Sequence, residues 1–144
     1  MNQVSEILGD KGHEVLEIEA DASVLDAVKR MVEANVGSLL VRDEGEIAGI
    51  VTERDYLRSV ALEGPADEAV TVREIMSSPL IVVSRETPID ECMALMTDRR
   101  IRHVPVVDGD GEVVGIVSIG DVVKFKSKQQ SFEIRYLTDY ITAS

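Results

Sequence analysis

One seven-residue segment occurs twice, and it constrains the whole chain. Gly49-Ile50-Val51-Thr52-Glu53-Arg54-Asp55 returns as Gly115-Ile116-Val117-Ser118-Ile119-Gly120-Asp121, at an offset of 115 − 49 = 66 residues. Each copy is a glycine, two β-branched residues, a hydroxyl residue, and an aspartate three positions after the hydroxyl. The pattern predicts a strand that ends at the hydroxyl and a helix that begins near the aspartate. Such a junction offers backbone N–H groups, a hydroxyl and a carboxylate on one edge, chemistry suited to a phosphate and a ribose.

The flanking residues repeat in the same order. In the first copy, Val4, Ile7 and Leu8 precede an expected turn at Gly9-Asp10-Lys11-Gly12 and a short strand with Val15, Leu16 and Ile18. Asp21-Ala22-Ser23 starts a helix whose apolar face is Val24, Leu25, Val28, Met31 and Val32, and Asn35 ends it. Ser38-Leu39-Leu40-Val41 reads as a buried strand, Asp43-Glu44-Gly45-Glu46 as a hairpin turn, and Ile47 to Val51 as its partner. Asp55-Tyr56-Leu57 opens a second helix that reaches about Leu62. In the second copy, Val72, Ile75 and Met76 match Val4, Ile7 and Leu8 at an offset of 68. Leu80 to Val83 is the strand, and Thr87-Pro88-Ile89-Asp90 a helix start with threonine as cap and proline at the first helical position. Val104 to Val107 and Val113 to Val117 pair around the turn Asp108-Gly109-Asp110-Gly111, and Asp121-Val122-Val123 opens the last helix. The offset changes only across turns, as two copies of one supersecondary unit require.

The expected organisation is a first repeat at residues 2–62, a linker at 63–70, a second repeat at 71–126 and a C-terminal helical tail at 127–144. The fold class is α/β (α+β), each repeat running β-α-β-β-α. A three-stranded sheet with both helices on one face leaves its other face apolar. Two repeats can cover that surface by packing sheet to sheet with pseudo-two-fold symmetry, leaving a cleft between them. In the tail, Phe132, Ile134, Leu137, Tyr140 and Ile141 suit a docked terminal helix or, alternatively, a dimer contact.

Composition removes several function classes. With 144 residues, 44% hydrophobic and only 3% aromatic, the core is aliphatic. The net charge of −12 leaves no broad basic footprint for nucleic acid. An anion site must rest on local cations, and the densest are in Arg99-Arg100-Ile101-Arg102-His103. No apolar run approaches the ~18 residues of a membrane span. The N-terminal residues carry no signal pattern, so a cytoplasmic location is expected. The single cysteine, Cys92, excludes an internal disulfide framework and lies on an apolar helix stripe.

The repeated Gly-h-h-(Ser/Thr)-x-x-Asp pattern, set in this strand and helix order and joined by Val104-Pro105-Val106-Val107-Asp108, resembles a cystathionine-β-synthase (CBS) domain. Two in tandem resemble a Bateman module, over about residues 2–126. The tail from Ile134 to Ile141 is similar to the end of small stand-alone prokaryotic CBS-pair proteins. The resemblance implies a regulatory module, not an enzyme, that senses an adenosine-containing nucleotide (AMP, ADP or ATP) in the cleft between repeats. No cofactor is required for chemistry; the nucleotide is a regulatory ligand. Asp55 and Asp121 would accept from ribose hydroxyls, and Thr52 and Ser118 would bond phosphate or ribose. Arg54 would reach a phosphate. Gly37 and Ser38 in one repeat, and Arg102 and His103 in the other, would contact the phosphate of the opposite repeat's ligand. Lys11, Gly12 and His13, and the Ser77-Ser78-Pro79 segment, would border the adenine pocket. One site would then join Thr52, Arg54 and Asp55 to Arg102 and His103, and would be the stronger for phosphorylated ligands. The other would join Ser118 and Asp121 to Gly37 and Ser38, with Gly120 in place of an arginine. The resemblance also implies a homodimer and an effector protein that reads ligand occupancy.

Other readings of the same residues stay open. Asp55 and Asp121 can serve as helix-start acids, and Arg102 and His103 as a solvated strand end. The alternatives for function are an interaction scaffold with empty clefts, or a binder of S-adenosylmethionine or NAD. The segment from Asp108 resembles a calcium loop, but its twelfth position is Ile119, so a hairpin turn is expected. Two histidines without ligand spacing give no metal site, and no nucleophile–base pairing or phosphate-binding lysine loop supports catalysis.

Overall fold

The computed structural model describes residues 2–11, 15–65 and 68–129. Its chain forms two compact units. One is continuous, residues 14–81; the other joins residues 1–13 to 82–144 and is discontinuous. Each contains a three-stranded sheet and helices, so the tandem α/β architecture expected from the repeat is the one observed.

In the continuous unit, β1 (Glu17–Glu19) pairs parallel with β2 (Ser38–Asp43), which pairs antiparallel with β3 (Glu46–Thr52). Two helices flank these strands, α2 (Val24–Ala34) and α3 (Glu53–Glu63), and a short α4 (Val72–Ile75) follows. The β2–β3 hairpin closes on Glu44 and Gly45, with φ of 52° and 83°. Positive φ at both central residues gives a turn whose twist matches that of the strands, which is why an acid–glycine pair occurs there. Ser23 caps α2, its hydroxyl accepting from the Asp26 N–H at 3.0 Å, and Asn35 ends it in the left-handed conformation, φ 56°. Val24, Ala27 and Met31, at helical spacing, are buried on one face. The core gathers Ala20, Ala27, Met31, Leu39, Val41, Val51 and Val72. Val72 comes from α4, whose start is tied to α2: the Val72 N–H donates to the Ala22 carbonyl at 2.8 Å.

The discontinuous unit repeats the plan. Here β4 (Val83–Ser84) lies parallel to β5 (His103–Val107), and β5 pairs antiparallel with β6 (Val113–Ser118). The helices are α1 (Val4–Lys11), α5 (Ile89–Arg99) and α6 (Ile119–Gln129). Val4, Ile7 and Leu8 of α1 enter a core with Val83, Ile89, Cys92, Met96, Val104, Val106, Val117 and Val122. The entry of α1 is fixed by backbone bonds, the Val4 N–H to the Thr87 carbonyl at 2.9 Å and the Ser5 N–H to the Arg85 carbonyl at 3.0 Å.

Several local boundaries differ from the sequence expectation. Gly9, Asp10 and Lys11 continue α1 instead of turning, because Val4, Ile7 and Leu8 bury one helical face and open space lies around Gly9. The strand expected over Leu80 to Val83 is Val83–Ser84. The cap of α5 is Pro88 rather than Thr87, whose hydroxyl instead accepts from the Ser84 N–H at 3.0 Å. Helices α3 and α6 begin at Glu53 and Ile119, two residues before the expected aspartates, because Thr52 and Ser118 bond the backbone at those starts. Of the expected tail, residues 127–129 complete α6; Phe132, Ile134, Leu137, Tyr140 and Ile141 lie outside the described residues.

Candidate functional site

The two Gly…Asp segments become two strand–helix junctions, one in each unit. At the first, β3 ends at Thr52 and α3 begins. The Asp55 N–H donates to the Thr52 hydroxyl oxygen at 3.2 Å, and Asp55 Oδ2 accepts from the Thr52 N–H at 2.9 Å and from its hydroxyl at 3.1 Å. This reciprocal arrangement is a capping box, with aspartate in place of the more usual glutamate. Asp55 is buried, 7% exposed, unusual for a carboxylate unless its oxygens are bonded. Its second oxygen is bonded too: Oδ1 accepts from the Ser77 hydroxyl at 3.1 Å.

Ser77 is brought there by its backbone. Its N–H and carbonyl both bond Ile50, at 2.8 and 3.1 Å, an antiparallel bridge beside β3. The approach explains the first glycine of the motif. A Cβ at Gly49 would stand 2.5 Å from the Ser77 carbonyl oxygen. The sequence named Ser77 only within a bordering segment; residues 22 apart with no shared period give no signal of such a contact.

At the second junction, the Ser118 N–H donates to Asp121 Oδ2 at 2.8 Å and the Asp121 N–H to the Ser118 hydroxyl oxygen at 3.1 Å. Asp121 is half-buried. A Cβ at the motif glycine, Gly115, would stand 2.6 Å from a methyl of Leu8 in α1. Asp55 and Asp121 are thus helix-start acids, as one reading held, and that role leaves a ligand role possible.

Four other predicted residues, Gly37, Ser38, Arg102 and His103, lie beside these junctions, each within its own unit. Ser38 is paired with Thr52 across β2–β3, and His103 with Ser118 across β5–β6. The Gly37 carbonyl accepts from the Glu53 N–H at 3.1 Å, and the Arg102 carbonyl from the Ile119 N–H at 2.9 Å. Two helix-start N–H groups at each junction are therefore already bonded, so each offers an anion fewer donors than a bare helix start. Ser38 is buried, His103 half-buried, and Arg54 and Arg102 are exposed. Ser78 and Pro79, joined by a cis peptide, follow Ser77 and are exposed. Lys11 ends α1. Gly12 and His13 lie outside the described residues.

Two groups outside the junctions, Glu17 and Cys92, are shifted by their surroundings. A two-pronged bond from Arg42, at 2.7 and 3.1 Å, holds the Glu17 carboxyl below its ordinary value, against a smaller opposing effect of burial. Burial pushes the Cys92 thiol up. Among the described residues no group of three or more His, Cys, Asp and Glu side chains is placed to hold a metal ion, and no helix is long and apolar enough to cross a membrane. A cavity of about 430 Å³ lies between α2 and α3, lined by Met31, Val32, Gly37, Glu53, Tyr56 and Leu57 among others.

Comparison with known proteins places this geometry. Residues 4–62 and 72–128 each match the CBS domain family. A mitochondrial CBS domain-containing protein of Arabidopsis thaliana is 42% identical over 147 aligned positions, covering 96% of this chain and 71% of the relative. A solved structure of a protein with CBS domains from Burkholderia ambifaria superposes with a TM-score of 0.84 at 45% identity, covering 90% of this chain and 96% of that one. A CBS domain protein from Pyrobaculum aerophilum, solved in complex with AMP, superposes with a TM-score of 0.72 at 29% identity, covering 83% and 88%. With two family matches spanning most of its length, each containing one Gly…Asp junction, the chain belongs to the CBS domain family as a tandem pair.

Proposed function

We propose that the chain is a regulatory module that binds an adenosine-containing nucleotide of the AMP, ADP or ATP class at its strand–helix junctions. The observation that carries this reading is the pair of aspartates, Asp55 and Asp121, each held by a reciprocal cap in a chain 29% identical to an AMP-bound relative. A carboxylate accepts hydrogen bonds from two vicinal hydroxyls, the pattern a ribose offers. Ser118 sits beside Asp121 as a further polar contact, and the exposed guanidinium groups of Arg54 and Arg102 suit a phosphate. Binding, rather than turnover, is the assigned activity. Ligand shifts a conformational equilibrium only by its differential affinity for the two states, and a partner or second copy reads that shift.

Calorimetric titration of nucleotide-stripped protein with AMP, ATP, NAD and S-adenosylmethionine tests the proposal. AMP or ATP is expected to bind, and Asp121→Asn to weaken it roughly 10- to 100-fold, the value of a hydrogen bond to a charged acceptor. The asparagine retains an oxygen for the Ser118 N–H, so its helix start survives. No heat with any of the four ligands would move the assignment to an interaction scaffold.

A further inference from the structure

We infer that the Ser77 hydroxyl is a specificity-determining part of the site at the first junction: its oxygen accepts from one hydroxyl of a ribose while Asp55 accepts from the other. The inference rests on the nucleotide reading above and deepens it.

Acceptor capacity supplies the argument. An ionised carboxylate has about four acceptor sites, two on each oxygen. On Asp55 Oδ2 both are used, by the Thr52 N–H and the Thr52 hydroxyl. On Oδ1 one is used, by the Ser77 hydroxyl. About one site remains, whereas a vicinal diol brings two donors. A second hydroxyl that met no acceptor would lose its bond to water without replacing it. The diol therefore needs another acceptor close to Oδ1.

Ser77 meets that need. An ionised carboxylate only accepts, so the Ser77 proton points at Oδ1 and the serine oxygen keeps its own lone pairs. Among the described residues no donor is bonded to that oxygen. A hydroxyl that donates to a charged acceptor is polarised by it, which makes its oxygen the stronger acceptor. The two acceptor atoms stand 3.1 Å apart, comparable to the separation of neighbouring hydroxyl oxygens on one ring. Asp55 is buried and Ser77 exposed, so the serine presents an acceptor where a ligand arrives. Thr52 is the other hydroxyl beside Asp55, but its oxygen already accepts from the Asp55 N–H and belongs to the cap of α3. The place of Ser77 does not depend on its side chain, because its N–H and carbonyl are both bonded to Ile50.

Titration with AMP, 2′-deoxy-AMP and 3′-deoxy-AMP tests the assignment, with Asp121→Asn protein as the parent so that the heat reports mainly the Asp55 junction. In the parent, one deoxynucleotide is expected to bind roughly 10- to 100-fold more weakly than AMP, for the bond to the carboxylate. The other is expected to bind roughly three- to tenfold more weakly, for the bond to the serine. Ser77→Ala should weaken AMP by the smaller factor and abolish the smaller discrimination while leaving the larger. Ser77→Thr, which keeps the hydroxyl, should retain both. If Ser77→Ala weakens all three nucleotides alike, Ser77 only positions Asp55 and its ligand role is overturned. Unchanged affinities in Ser77→Ala protein, or an Asp121→Asn protein that binds no AMP while the wild type does, also overturn it, and the nucleotide reading stands. Absence of AMP binding by the wild type overturns both.

Discussion

The two Gly…Asp junctions share a motif and a cap, yet their glycines are required by different neighbours. Gly49 faces a backbone carbonyl, that of Ser77; Gly115 faces the end of a side chain, that of Leu8. A carbonyl fixed in a two-bond bridge cannot retreat without breaking the bridge. A leucine methyl can rotate, although this one is fully buried and must displace its neighbours to do so. The same residue type in the same motif is thus held by backbone in one unit and by packing in the other.

The largest expected effect comes from removing the Leu8 side chain. Leu8 is 0% exposed in the core that also holds Cys92, so Leu8→Ala should cost about 3 kcal/mol by chemical denaturation. It should also speed labelling of the Cys92 thiol in native buffer, because that thiol is buried and burial keeps it protonated. An unchanged labelling rate would mean that α1 does not support this core. Next come the glycines. Gly49→Ala should cost about 2–3 kcal/mol and Gly115→Ala about 1 kcal/mol. Leu8→Ala combined with Gly115→Ala should show favourable coupling of about 1 kcal/mol, since the first removes the methyl that the second would strike. Equal costs at the two glycines would erase the contrast.

The smallest effect concerns an ion pair in the continuous unit. Arg42 lowers the carboxyl of Glu17 from an ordinary value of 4.5. A depressed folded value contributes stability above the unfolded value, and the contribution is lost as pH falls through the folded one. The pair is partly exposed, its side chains 34% and 38% accessible, so solvent screens it. Glu17→Gln should therefore cost only a few tenths of a kcal/mol at neutral pH. The difference from wild type should begin to shrink as pH falls below about 4.5 and be lost as pH passes through the lower folded value, read from denaturation midpoints across an acid series starting at pH 7.

Much of this was legible in the residues, and the exceptions share a cause. Ser23, Asn35 and the Glu44-Gly45 turn act where local chemistry said they would, because caps and turns are decided within a few residues. The hydroxyl-to-aspartate spacing located both junctions. It misplaced the helix starts by two residues, because the aspartate bonds backwards to the residue that caps it. At α5 a threonine before a proline suggested the cap, but its hydroxyl serves the turn behind it. Contacts between distant segments were not legible. Nothing in the spacing of Val4, Ile7 and Leu8 says which sheet they will cover, since an amphipathic face specifies that it must be buried and not by what. Ser77 on Asp55 is a second case, a pairing set by where the backbone of a later segment returns.

The discontinuous unit has a consequence for synthesis. Residues 14–81 are contiguous, so their core partners leave the ribosome together. Helix α1 emerges earlier than these, but its partners Val104, Val117 and Val122 follow roughly 100 residues behind. At about 5–20 residues per second, the Val4, Ile7 and Leu8 face waits on the order of ten seconds before its own core exists. During that interval the nascent chain carries an apolar stripe that no native contact can cover. The length of the wait is set by the order of segments along the chain rather than by the strength of any bond within it.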